Sequence, residues 1–173
     1  PTLDGIKKIK IIPKKELEIE FRLDLDKPFV IMMQHTVTTE IKKIDKYFLE
    51  TLKAIKELKI QTVIIHGNAD AGSKTISKII KDSKIHNYPN LPYEKYINLL
   101  KYASVLVGNS SSGIIEAPFL HIPSVNIGTR QSGRLSSSSV INVKYNKKEI
   151  KKSIEKAIND KKYLSKIKKN KSY

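Results

Sequence analysis

The sequence of 173 residues contains no cysteine. That excludes disulfides and thiolate metal ligands. Arginine is nearly missing as well: it occurs only at positions 22, 130 and 134, and the other 30 of the 33 basic residues are lysine. No apolar run approaches the roughly 20 residues a membrane helix needs, so no membrane partner is expected. The chain opens on Pro1 and shows no signal-peptide pattern. With a hydrophobic fraction of 39%, the length suits one globular domain over residues 1–173. A cytoplasmic location is expected.

The formal net charge of +16 raises a nucleic-acid reading, but its distribution argues against one. From Lys144 onward twelve lysines accompany three acids, Glu149, Glu155 and Asp160. The lysines alternate with Ile150, Ile154, Ile158, Leu164 and Ile167 at helical spacing, the pattern of a solvated face around an apolar stripe. Nucleic-acid binders usually pair basic patches with arginines or stacking aromatics. No nucleic-acid partner is expected.

What is present is a repeated alternation of short apolar runs and amphipathic stretches. Strands are predicted at Phe29–Met33, Thr62–His66, Lys84–Tyr88, Ser104–Val107, Pro123–Ile127 and Val140–Val143. Helices are predicted at Pro13–Leu23, from Ile41 to Leu58 behind a Thr38-Thr39-Glu40 cap, around Ile76–Ile80, after Pro92, at Ile114–Leu120 and through the tail. Strand and helix in alternation, with short connections, give an α/β fold: a three-layer, doubly wound parallel sheet. Such sheets bind ligands at the carboxyl ends of their strands. Three polar loops fall there: Gln34-His35, Asn68–Asp70 and Gly108–Gly113.

The last of these, Gly108-Asn109-Ser110-Ser111-Ser112-Gly113, is not a Walker loop, because no Gly-Lys-Ser/Thr follows. Its amides and hydroxyls fit a phosphate, and they fit equally an ordinary turn with a serine N-cap. Glu116 reads as a dipole-friendly surface acid or as an acceptor for a ribose diol. Two of the three arginines, Arg130 and Arg134, share the loop Gly128–Arg134. A guanidinium fork matches phosphate or carboxylate. His35, at a strand end, reads as an acid/base or phosphate donor, or as a structural histidine. No histidines and acids stand at metal-ligand spacing, so no metal and no cofactor are expected.

Four segments then carry a resemblance: Gln34–Glu40, Asn68–Ser73, Gly108–Pro118 and Gly128–Arg134. In order and spacing they resemble the UDP-N-acetylglucosamine 2-epimerases, and within them the hydrolysing branch that makes N-acetylmannosamine for sialic acid synthesis. The non-hydrolysing branch has an Asp-Ser-Gly-Gly type of serine loop. The match covers about residues 28 to 145. It implies the second, Rossmann-like domain of a GT-B architecture, with the N-terminal domain not in this chain, and a homo-oligomeric whole protein. It also implies a UDP-sugar ligand: Ser110, Ser111 and the Ser112 amide on the diphosphate, Glu116 on the ribose, Tyr96 near the uracil, Arg130 and Asn68 along the diphosphate and sugar, and His35 as the catalytic histidine. Two positions depart from the family. Thr36 stands in place of proline, and His66-Gly67 in place of an aromatic-proline pair.

Overall fold

A computed structural model of the chain describes residues 3–67 and 73–169. The helices are α1 (Leu3–Lys7), α2 (Lys14–Phe21), α3 (Ile44–Leu58), α4 (Ser73–Ser83), α5 (Tyr93–Leu100), α6 (Glu116–Phe119), α7 (Lys147–Asn159) and α8 (Lys161–Lys169). The strands are β1 (Phe29–Met33), β2 (Gln61–Ile65), β3 (His86–Tyr88), β4 (Val105–Gly108), β5 (Ser124–Ile127) and β6 (Val140–Val143). They form one sheet in the order β3-β2-β1-β4-β5-β6, every neighbouring pair parallel.

The side-chain period of two along each strand divides the core between the two faces of the sheet. Val30 and Met32 of β1, Ile64 of β2, Val105 and Val107 of β4 and Val125 and Ile127 of β5 face one cluster. That cluster is closed by Phe48, Leu52 and Ile55 of α3, Ile76 and Ile80 of α4, and Ile150 and Ile154 of α7. Phe29, Ile31, Val63, Ile65 and Leu106 face the other, against Leu17 and Phe21 of α2 and Ile97, Leu99 and Leu100 of α5. The central strand β1 is buried on both faces over its first four residues. A continuous apolar run rather than an alternating one is what such a strand requires.

The expected three-layer, doubly wound sheet is therefore found, with strand ends displaced by a residue or two. Two local expectations need correction, and the helical tail gains a break. The residues after β1 do not start the long helix: Thr38–Lys43 is a 3-10 helix, and α3 begins at Ile44 without a side-chain cap. Glu40, read as part of that cap, is drawn away instead, and its carboxylate accepts from Tyr145 Oη at 2.8 Å and Thr129 Oγ1 at 3.0 Å. The stretch Ile114–Leu120 is not one helix but a 3-10 turn over Ser111–Gly113 followed by the four-residue α6. The tail is two helices. The break falls at Asp160, which leaves the helical conformation and caps α8 by accepting from the Tyr163 amide at 3.0 Å.

The tail lysines sit as the charge pattern implied. Ile150, Ile154, Ala157 and Ile167 are buried, and the lysines between them are exposed or partly so. Arg22, the one arginine outside the Arg130 loop, holds the left-handed position that ends α2, with φ of 52°. Its place is structural.

Candidate functional site

In the order β3-β2-β1-β4-β5-β6 the chain winds one way from β1 and the other way from β4. Loops leaving the carboxyl ends of β1 and β4 therefore turn apart and leave a crevice between them, where doubly wound sheets bind ligands. The Gln34-His35 segment leaves β1 there, and the serine loop leaves β4 there.

Two close approaches beside this crevice occur at glycines. Gly108 pairs with Met33 at the last register position of β1 and β4, and its φ is 141°. A Cβ at this residue would overlap the Met33 carbonyl and stand 3.1 Å from the Gln34 amide nitrogen. Gly67, after β2, lies against the His35 side chain, where a Cβ would stand 2.8 Å from Nδ1. The glycine thus makes room for the imidazole, which is half-buried. Gln34 turns to the other side, where its Oε1 accepts from Thr51 Oγ1 of α3 at 2.7 Å. Thr36 is buried.

The serine loop divides its work. Ser110 is buried, and its Oγ accepts from the Ser112 amide at 3.3 Å, which makes it the N-cap of the 3-10 turn. The Ser112 amide expected to bind a phosphate thus has an internal partner, though a long one. Ser112 Oγ lies 2.5 Å from Tyr96 Oη. Ser111 is half-buried, the most exposed residue of the three.

Tyr96 departs most from expectation. It is 7% exposed and belongs to the core beneath the loop, so it offers no open ring face. Burial pushes its phenol well above the usual range, and it stays neutral. It braces Ser112 from below. One turn earlier Tyr93 is half-buried, with its hydroxyl 3.5 Å from Glu116 Oε1. Burial, and then the Glu116 charge, raise the Tyr93 pKa too.

Glu116 stands at the start of α6. Its Oε2 is buried and has no hydrogen-bond partner among the described residues. A buried carboxylate oxygen normally has one, and an orphan of this kind at the edge of a crevice suits a hydroxyl donor brought by a ligand.

Arg130 is exposed but anchored: its Nη1 donates to the Asn109 carbonyl at 3.0 Å. Gln131 Nε2 donates to the same oxygen at 2.9 Å, and Arg134 Nη1 donates to Gln131 Oε1 at 2.8 Å. Arg134 therefore braces the loop that presents Arg130. The loop can fold back on β4 because Gly128, with φ of 78°, passes beneath the Tyr145 ring. That ring stacks on Tyr47 with centroids 3.9 Å apart. Asn68 lies outside the described residues.

The full chain matches the family model for UDP-N-acetylglucosamine 2-epimerase over residues 2–173. The chain belongs to the UDP-N-acetylglucosamine 2-epimerase family. The match runs beyond the 28–145 stretch in which the four motifs lie and takes in the helical tail. A curated relative from Campylobacter jejuni, GDP/UDP-N,N'-diacetylbacillosamine 2-epimerase (hydrolyzing), is 35% identical over 148 residues, 82% of this chain and 38% of that protein. A UDP-N-acetylglucosamine 2-epimerase of Neisseria meningitidis is 36% identical over 154 residues, 87% of this chain and 40% of that protein. The chain thus spans about two fifths of the length of these relatives.

The solved UDP-GlcNAc 2-epimerase from Neisseria meningitidis, bound to UDP-GlcNAc, superposes with a TM-score of 0.68 at 19% identity, over 98% of this chain and 47% of that one. An Escherichia coli ADP-heptose heptosyltransferase superposes with a TM-score of 0.62 at 11% identity, over 87% and 53%. These neighbours make the fold a Rossmann-like domain of the GT-B class. Among the described residues no helix is long and apolar enough to cross a membrane.

For an epimerase-family chain, then, the crevice brings together His35, the serine loop, Glu116 and Arg130. It keeps Tyr96 underneath. Sequence reasoning missed Asn109, Tyr93, Glu40 and Tyr145. Asn109 stood inside a motif read for its serines, and Tyr93 sits three residues before a tyrosine that drew the attention. Nothing in the sequence ties Glu40 to a tyrosine 105 residues away.

Proposed function

We propose that this chain is the UDP-sugar-binding, C-terminal half of a hydrolysing UDP-N-acetylglucosamine 2-epimerase. The substrate is UDP-N-acetylglucosamine, and the products are N-acetylmannosamine and UDP. The reaction eliminates UDP across C1–C2 to a glycal-like intermediate. Water then adds at C1 and C2 is reprotonated on the opposite face.

The observation that carries the reading is the buried, unpartnered oxygen of Glu116, on the segment that also bears the serine loop. A ribose diol supplies the hydroxyl donors this carboxylate lacks. Ser110, Ser111 and the Ser112 segment face the diphosphate, and Arg130 and Asn68 line the diphosphate and sugar. Negative charge grows on UDP as the C1–O bond breaks. Fixed donors that need no reorganisation lower that barrier most. His35 is the catalytic histidine at the sugar end. Tyr96, expected near the uracil, acts from beneath through Ser112. The hydrolysing branch is favoured by the four ordered motifs and by the name of the Campylobacter relative. That same name favours a second reading in which the sugar is a diacetamido one.

The acids for C2 proton transfer belong to a first domain, by the resemblance, so the 173-residue chain alone releases no UDP from UDP-N-acetylglucosamine. Release at an ordinary enzymatic rate of roughly 1 s⁻¹ or more would refute that division of labour. The whole protein is proposed to be a cytoplasmic homo-oligomer without nucleic-acid or membrane partners.

Calorimetry tests the site. UDP binds the chain, and Arg130→Ala weakens binding by about 10- to 100-fold, the value of a charge-assisted contact. Unchanged affinity in Arg130→Ala, or no binding by the wild-type chain, rejects the reading.

A further inference from the structure

Strand pairing between β1 and β4 ends at Met33 and Gly108. One further backbone bond follows, from the Asn109 amide to the Met33 carbonyl at 3.2 Å. Where the ladder stops, the Asn109 side chain continues it. Its Oδ1 accepts from the His35 amide at 2.6 Å, and its Nδ2 donates to the His35 carbonyl at 3.0 Å. A carboxamide is a peptide group in side-chain form, so it supplies the rung the departing backbone no longer can. The residue is fully buried. On its other side the Asn109 carbonyl receives Arg130 and Gln131.

One residue therefore holds the segment that bears the imidazole and the loop that bears the guanidinium. We propose that Asn109 is the positioning residue of this crevice, coupling the placement of His35 to that of Arg130. The proposal rests on the UDP-sugar reading. It adds that histidine and arginine meet one ligand in a fixed relation, set by one residue through its side chain on the His35 side and its backbone carbonyl on the Arg130 side. Aspartate would present a second acceptor to the His35 carbonyl, and leucine would supply neither the acceptor nor the donor. Asparagine alone matches donor to acceptor on both.

The test uses the 173-residue chain, with histidine ring resonances read by NMR and UDP affinity by calorimetry. In Asn109→Ala the His35 resonances move, while those of His86 on β3 and of His121, which contacts Ile167, stay in place. UDP affinity falls at least about tenfold. Asn109→Ser, keeping one hydrogen-bonding atom, gives an intermediate loss. The double variant Asn109→Ala/Arg130→Ala binds UDP within about twofold of the weaker single variant, because residues acting as one unit are not additive. An unmoved His35 resonance, or additive losses in the double variant, overturns the proposal.

Should the alanine variant not fold, the serine variant is read in the same way. Should both fail, Gln131→Met, which removes one donor to the Asn109 carbonyl, decides by its UDP affinity, and wild-type affinity there overturns the coupling. If the wild-type chain binds no UDP, the functional reading fails. The His35 resonances still decide whether Asn109 holds that residue.

Discussion

Gly108→Ala lowers the melting temperature by about 5–20 °C, which corresponds to about 2–6 kcal/mol in a chain of this size. Two costs add. The residue sits at φ of 141°, a conformation that strains any side chain by about 1–3 kcal/mol. A methyl group there would also run into the Met33 carbonyl, at the centre of a sheet packed on both faces. Relieving that overlap means pulling β4 from β1, at about 1–3 kcal/mol for an overpacked core. Gly133→Ala is the control. Gly133 has φ of 80° and nothing within 4 Å of its would-be Cβ, so only the conformational cost of about 1–2 kcal/mol applies. Thermal melts of the two variants separate strain from overlap. Equal melting temperatures would show that the close approach of β4 to β1 is not what needs the glycine.

That close approach also shows where the sequence was informative. Strands were legible where they are short apolar runs, β1 above all, which is continuous because both its faces are buried, and least so in β3, which is His86-Asn87-Tyr88 at the sheet edge. The carboxyl-end loops were legible because polar and small residues interrupt those runs. The site beneath them was not. Tyr96 and Tyr93 carry the same side chain three residues apart, and only the packing of α5 decides that the first is buried and the second reaches Glu116. Ser110 and Ser111 are neighbours of one type, yet one caps the turn and the other remains accessible. Glu40 looked like a helix cap because caps are local, and the tertiary bond to Tyr145 overrode that preference. Periodicity finds elements. It does not find a contact between residues a hundred positions apart.

Glu116→Ala weakens UDP binding by about 10- to 100-fold and does not lower the melting temperature. The two halves of this expectation come from one fact. Among the described residues Glu116 Oε2 is buried without a partner, and Oε1 has a 3.5 Å contact from Tyr93. In the unliganded fold the carboxylate is thus under-satisfied, and a buried polar atom without a partner costs about 1–3 kcal/mol. Removing it cannot destabilise the chain by breaking good bonds, for it has few to break. In the complex the same carboxylate accepts from the ribose hydroxyls, and hydrogen bonds to a charged group are worth about 1.5–3 kcal/mol each.

The ribose itself makes the expectation sharp. The wild-type chain prefers UDP to 2′,3′-dideoxy-UDP by about tenfold or more, since the dideoxy sugar leaves the carboxylate unpaired. In Glu116→Ala the two nucleotides bind equally, because no acceptor remains to tell them apart. Calorimetry on both proteins with both nucleotides closes a cycle of four affinities. A surviving preference for UDP in the variant would move the diol to another acceptor. A fall in melting temperature would make Glu116 a structural residue, and the orphaned oxygen would no longer point to a ligand.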